Sequence, residues 1–226
     1  MKIENVEVYG FRRAFHGMRS PKNSWKKSDS SWTGEEFWGL DGMGVDSAFA
    51  PDRPCIGPED MKLACKLIKG GSEHRKFLRQ IMIWVDITIP RYVWTELDTY
   101  KVATVRNSCS TMHKLGTKDL TQEDFELPIP PSWLDHLNSL GEEFREAKLL
   151  RDTKEMNIIR RTYKDRLPEG FLQKATYTMS YETALNMYFQ RRNHRLPEWN
   201  TKQSGSICSF IASLPYMREF IEAKEK

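Results

Sequence analysis

Glu96–His113 reads ELDTYKVATVRNSCSTMH. It packs charge, hydroxyls, an amide and a thiol into eighteen positions, with few bulky apolar residues. Buried core is not built this way, and a solvated surface helix would be richer in Glu and Lys. Ser, Thr and Asn are poor in helix interiors because their side chains compete for backbone hydrogen bonds. Beside Lys101 and Arg106 they suggest a ligand cradle, in which short donors wrap an oxyanion and cations neutralise it. A polar turn with no ligand fits the same composition equally well.

Upstream, Gln80–Ile89 is the strongest strand in the chain. Ile81, Ile83, Val85, Ile87 and Ile89 alternate with Met82, Trp84, Asp86 and Thr88, so one face is pure core. Pro90 then begins a helix, PRYVWTELDTYKV, that leads into the polar stretch. Pro58–Gly71 is a further helix, with Pro58 in its first turn, Glu59 and Asp60 at its positive end, and Met61, Ala64 and Ile68 on one face. Residues 3–10 alternate weakly and read as a first strand. Residues 11–34 read as a basic loop whose Arg12, Arg13, Arg19, Asn23 and Trp25 either cover an anion or stay solvated. Residues 35–57 extend that loop-rich part, and 58–226 form the core of a single domain.

Downstream, Pro128, Pro130 and Pro131 forbid regular helix. Ser132 is the expected cap of a helix carrying Trp133, Leu137, Leu140, Phe144 and Ala147. Met156, Ile159 and Tyr163 mark a second helix, Ala175–Met179 a short strand, and SYETALNMYFQRR a helix after it. A closing helix is expected near Ser204–Leu214.

The 226 residues are 39% hydrophobic and 12% aromatic, enough for a packed core, and the net charge of +4 is too mild to predict nucleic-acid binding. Cys55, Cys65, Cys109 and Cys208 show no zinc spacing, and the five histidines form no metal motif. With no leader and no membrane-length apolar run, the reading is a cytoplasmic protein with free thiols.

The polar stretch resembles the signature of the flavin-dependent thymidylate synthases: Arg-His-Arg, two residues, Ser, any, Asn-Glu, any, Ser, any, Arg-Tyr. Laid on without gaps, Arg-His-Arg falls on Thr99, Tyr100 and Lys101, and the first Ser on Thr104. Asn-Glu falls on Arg106 and Asn107, the second Ser on Cys109 with Ser110 one residue away, and Arg-Tyr on Thr111 and Met112. His74 stands where the family has a histidine ahead of the strand. A second block runs from Lys164 through Leu167-Pro168, with Asn186 and Arg191 as identities and Trp199 as the matching tryptophan. The family's Asn-x-Arg falls on Ser180 and Glu182, which differ.

The resemblance implies the thymidylate synthase-complementing fold, an α/β (α+β) domain with a mixed or antiparallel sheet flanked by helices, assembled as a homotetramer whose sites draw on several subunits. It implies reductive methylation of dUMP to dTMP with FAD, and with NADPH and methylenetetrahydrofolate as cosubstrates. It gives Arg191 and Ser110 catalytic roles. The nucleotide is held by Arg106, Asn107, Ser108, Cys109, Thr111 and Lys164, and the flavin faces His74, Tyr100, Lys101 and Asn186. Arg106 replaces the arginine missing at Thr111. Cys109 has no basic partner beside it in sequence and reads as a buried or half-buried thiol. The departures at Thr99, Thr111 and Glu182 also fit a binding protein on the same fold that has lost turnover, or a relative that modifies another pyrimidine nucleotide.

Overall fold

The computed structural model describes residues 1–33, 53–111 and 116–226. The reading of 35–57 as loop therefore lies largely outside the described residues. The fold is mixed α/β, with an antiparallel sheet flanked by helices. Four strands, β1 (Lys2–Tyr9), β4 (Met82–Pro90), β5 (Thr104–Ser108) and β6 (Leu172–Ser180), form a sheet in the order β1-β4-β6-β5. β2 (Ser31–Thr33) and β3 (Arg53–Cys55) form a separate antiparallel pair.

The order makes β4 and β6 interior strands. Ile81, Ile83, Val85, Ile87 and Ile89 are 0–1% exposed, and Ala175, Tyr177 and Met179 are buried on β6. β5 is an edge strand, and here the structure corrects the sequence reading. No strand was expected over Thr104–Ser108, yet the segment alternates half-buried and exposed. Its strand period was hidden because the half-buried face carries Thr104, Arg106 and Ser108 where apolar residues would reveal it. Cys109 keeps the phase of Val105 and Asn107 and is exposed, not half-buried as expected.

The chain divides into two compact units. One contains residues 1–2, 86–99 and 106–176; the other contains 3–85, 100–105 and 177–226. The first holds α3 (Arg91–Leu97) and a hairpin of α4 (Pro131–Leu149) and α5 (Thr153–Arg166). Its core gathers Leu120, Phe125, Leu137, Phe144, Ile159 and Tyr163. Burial pushes the Tyr163 hydroxyl up to about 12. Ser132 does not cap α4, which starts one residue earlier at Pro131 without a side-chain cap. α5 has the cap, with Asp152 accepting the Glu155 N–H at 3.0 Å.

In the second unit a helix stands where a loop was expected. α1 (Phe11–Arg19) buries Phe11, Ala14, Phe15 and Met18, the i, i+3, i+4, i+7 stripe of a surface helix. Arg12, Arg13, His16 and Gly17 between them mask that stripe. Gly10 starts the helix at φ 101°, and a Cβ there would lie 2.3 Å from the Gln80 carbonyl oxygen. Phe15 meets Phe77 edge-on at 5.6 Å, on a 3₁₀ turn over Lys76–Gln80. α2 (Pro58–Lys69) packs on α8 (Met217–Glu225), and α6 (Tyr181–Arg191) on α7 (Ile207–Ser213). The sequence reading ended at Leu214 and missed α8, whose Met217, Phe220 and Ile221 are buried.

Candidate functional site

In the first unit, the predicted nucleotide residues Arg106–Thr111 lie along β5 and its exit. The Cys109 N–H donates to the Lys174 carbonyl at 2.8 Å, and the Gln173 side-chain amide donates back to the Cys109 carbonyl at 2.8 Å. This clasp on β6 fixes the backbone that carries Ser108, Ser110 and Thr111, all half-buried. Arg106 pairs with Asp98 at 2.9 Å and lies over the Trp94 ring at 5.0 Å. Both of these partners lie inside its own unit. Lys164 is exposed on α5 and Asn107 is exposed on β5.

In the second unit, Arg191 ends α6. Its guanidinium lies over the Trp199 indole at 4.9 Å and the Tyr100 ring at 5.9 Å. Its Nε donates to the Tyr100 hydroxyl at 3.1 Å, and Nη1 stands 3.1 Å from His194 Nε2. A planar cation framed by rings keeps its charge and fixes its fork, which suits an oxyanion better than a mobile lysine would. The sequence reading named Arg191 and Tyr100 for two different ligands; the structure brings them together. His194 was not singled out in the sequence, where only its three-residue spacing from Arg191 hints at the pair.

Earlier on α6, Glu182 and Asn186 meet a set of cations. Arg75 Nε donates to Glu182 at 3.0 Å, and Arg79 pairs with the other carboxylate oxygen. Burial pushes the Glu182 carboxyl up, but the bonds from Arg79 and Arg75 outweigh it and hold it below its usual range. Asn186 Oδ1 accepts from Arg75 at 3.1 Å and from Lys224 at 2.9 Å. Neither cation can accept a hydrogen bond, so the amide oxygen must face them and the amide N–H groups point away from them. Lys101 is exposed, and His74 is exposed and lines a cavity near α2. Among the described residues no cluster of His, Cys, Asp and Glu could hold a metal, and no helix is long and apolar enough to cross a membrane.

The chain aligns in three dimensions with the flavin-dependent thymidylate synthase ThyX of Helicobacter pylori complexed with FAD and dUMP. The TM-score is 0.62 at 15% identity, over 98% of this chain and 97% of that one. A second structure of that enzyme with FAD and dUMP gives 0.63 at 14%, over 100% of both chains. The chain has the flavin-dependent thymidylate synthase fold. No protein-family model matches the sequence, and no curated protein does.

Within this flavin-dependent thymidylate synthase fold, Lys224 is a residue the sequence reading did not reach. Burial, and then the nearby Arg75 charge, lower its ammonium from 10.5 to about 8. A cation with a depressed folded-state value opposes folding below that value. The unfolded chain then binds more protons between pH 8 and 10.5, so stability rises with pH across that window. Thermal unfolding is expected to show this rise in the wild type and to lose it in Lys224→Met. An identical pH profile for the two would exclude the linkage.

Proposed function

We propose that the chain is a flavin-dependent enzyme that reductively methylates dUMP to dTMP, using FAD with NADPH and methylenetetrahydrofolate, as a homotetramer. The observation that carries this reading is Arg191, an aromatic-framed guanidinium at the C-terminal end of α6. It is a fixed donor set for a phosphate or for the negative charge that builds on a pyrimidine ring. Ser108, Cys109, Ser110 and Thr111 supply hydroxyls, a thiol and backbone donors to the nucleotide, with Asn107, Lys164 and Arg106 adding polar and positive groups. Ser110 and Arg191 take the catalytic roles that the resemblance gives them.

The residues assigned to FAD fit it in donor type. Asn186 offers amide N–H groups whose direction is fixed by Arg75 and Lys224, Tyr100 offers a ring already aligned with Arg191, and Lys101 and His74 add charge and donors. Bound FAD would supply the reducing hydride. The chain's own part is to bind, orient and stabilise charge, with no nucleophilic side chain required.

A second reading, a binding protein without turnover, is favoured by Glu182. It puts a carboxylate where the family carries arginine, and two arginines are spent in neutralising it. Purification with added FAD, followed by dUMP titration, separates the two. Flavin absorbance that co-purifies and a dUMP-dependent change in it support the enzyme. A colourless protein that binds dUMP and takes up no FAD supports the second reading.

A further inference from the structure

Residues 11–28 hold six Arg and Lys residues and no Asp or Glu, although the net charge of the whole chain is only +4. Asp60 neutralises Arg19 at 2.5 Å, and Lys22 and Lys27 line the cavity that His74 also lines. The other three, Arg12, Arg13 and Lys26, are exposed and stand outside that cavity. The fold gathers them on one face. On α1 the stripe of Phe11, Ala14, Phe15 and Met18 is buried, which turns Arg12, Arg13 and His16 to solvent. Arg12 and Arg13 precede His16 by four and three residues, so both are its neighbours on the helix surface. Trp25 folds back onto the His16 ring, with centroids 5.5 Å apart and planes 15° from parallel. That stack brings the turn carrying Lys26 to the same face of α1.

This face is also pre-formed. The Ser24 N–H donates to the Arg19 carbonyl at 3.2 Å, and the Ser28 N–H to the Trp25 carbonyl at 3.0 Å. Asp60 is fully buried, and besides Arg19 it accepts the Ser28 hydroxyl at 2.6 Å and the Ser30 hydroxyl at 2.5 Å. These bonds lash the 20–30 segment to α1 and α2, so Trp25 is held on His16 before any partner arrives. The first carboxylate after the basic run, Asp29, is turned to α2, where it accepts the Glu59 and Asp60 N–H groups at 2.8 and 3.0 Å. It caps that helix and does not balance the cations of α1. Trp25 itself stays 41% exposed.

We propose that this face binds single-stranded nucleic acid, with Trp25 stacked on a base and Arg12, Arg13 and Lys26 on the flanking phosphates. Every base has a flat π-face, so an aromatic ring set among cations takes one without regard to sequence. His16 covers one face of the indole and leaves the other for the base. A duplex keeps its bases stacked inside and offers none to a surface ring. An anionic membrane would call for several apolar side chains beside the cations. Within residues 11–33 Trp25 is the only large hydrophobic residue that is exposed. The proposed catalytic function uses none of these residues, so the two readings stand or fall separately.

The test is fluorescence anisotropy of a dye-tagged single-stranded oligodeoxyadenylate titrated with the full chain, beside the matching duplex and cosedimentation with phosphatidylserine vesicles. The single strand is expected to bind more tightly than the duplex. Its log affinity should fall by about 2 per tenfold rise in salt, as three phosphate contacts would give. W25A should bind at least about fivefold more weakly, the lower end of the effect of losing one base stack, and W25F should recover most of the affinity. R12A/R13A should cut the salt dependence to about one third. K62A/K66A, altered at exposed lysines of the cavity, should bind as wild type does, and so should protein loaded with FAD or dUMP. The proposal is overturned if the strand does not bind, if W25A and R12A/R13A bind it normally, or if the duplex binds as tightly. It is also overturned if FAD or dUMP displaces the strand, or if vesicles are bound through Trp25 and the strand is not. Wild-type dUMP affinity in W25A keeps the dUMP reading standing in each case, and loss of dUMP binding in R191A alone leaves this proposal standing.

Discussion

Asp60→Ala is expected to lower the unfolding free energy by about 3–5 kcal/mol, the largest loss for a single substitution outside the hydrophobic core. Asp60 is fully buried, and the partner it would abandon, Arg19, is only 5% exposed. Removing the carboxylate strands a buried guanidinium and deprives the Ser28 and Ser30 hydroxyls of their shared acceptor. The cost comes from the charge left behind more than from the pair itself. The double variant Asp60→Ala with Arg19→Met should therefore be more stable than Asp60→Ala alone. Denaturant midpoints measured at constant slope report both values. A loss under about 1 kcal/mol in the single variant would mean that Arg19 finds water readily, and the 20–30 segment is then not fixed as described.

The second large effect concerns Arg191. Arg191→Ala is expected to weaken dUMP binding by about 2 kcal/mol or more, roughly thirtyfold, the usual range for removing one member of a buried charge-assisted contact. Arg191→Lys tests the geometry. It keeps the charge but loses the Nε bond to Tyr100 and the guanidinium's contact over Trp199, so it should recover only part of the affinity. Tyr100→Phe keeps the ring and removes only the hydroxyl, so it should cost less than either. If Arg191→Ala bound dUMP as well as wild type, the guanidinium would be a structural brace between rings.

The extent to which the sequence foretold this molecule varies with the physics of each element. β4 was legible because its inward face is uninterrupted Ile and Val, and α2 because its caps and charges agree with its stripe. α1 was not legible, because four apolar residues are diluted by Arg, His and Gly over nine positions. β5 was hidden by an edge position that needs no apolar face. At the site, Asn186 and Arg191 were readable as matches of residue and spacing. Their actual partners, Arg75, Lys224 and His194, lie on segments whose convergence is a property of the fold. The Glu182 departure became intelligible only with Arg75 and Arg79 in view, since a carboxylate at that position asks for cations that the sequence places more than a hundred residues away.

The central claim is that this fold, with its aromatic-framed arginine, performs flavin-dependent chemistry on a pyrimidine nucleotide. Its most direct measurement is tritium release to water from dUMP labelled at the ring position that receives the new carbon, with FAD, NADPH and methylenetetrahydrofolate present. The account predicts release that requires FAD and is lost in Arg191→Ala. A protein shown to carry FAD and to bind dUMP, yet releasing no tritium under those conditions, would contradict it.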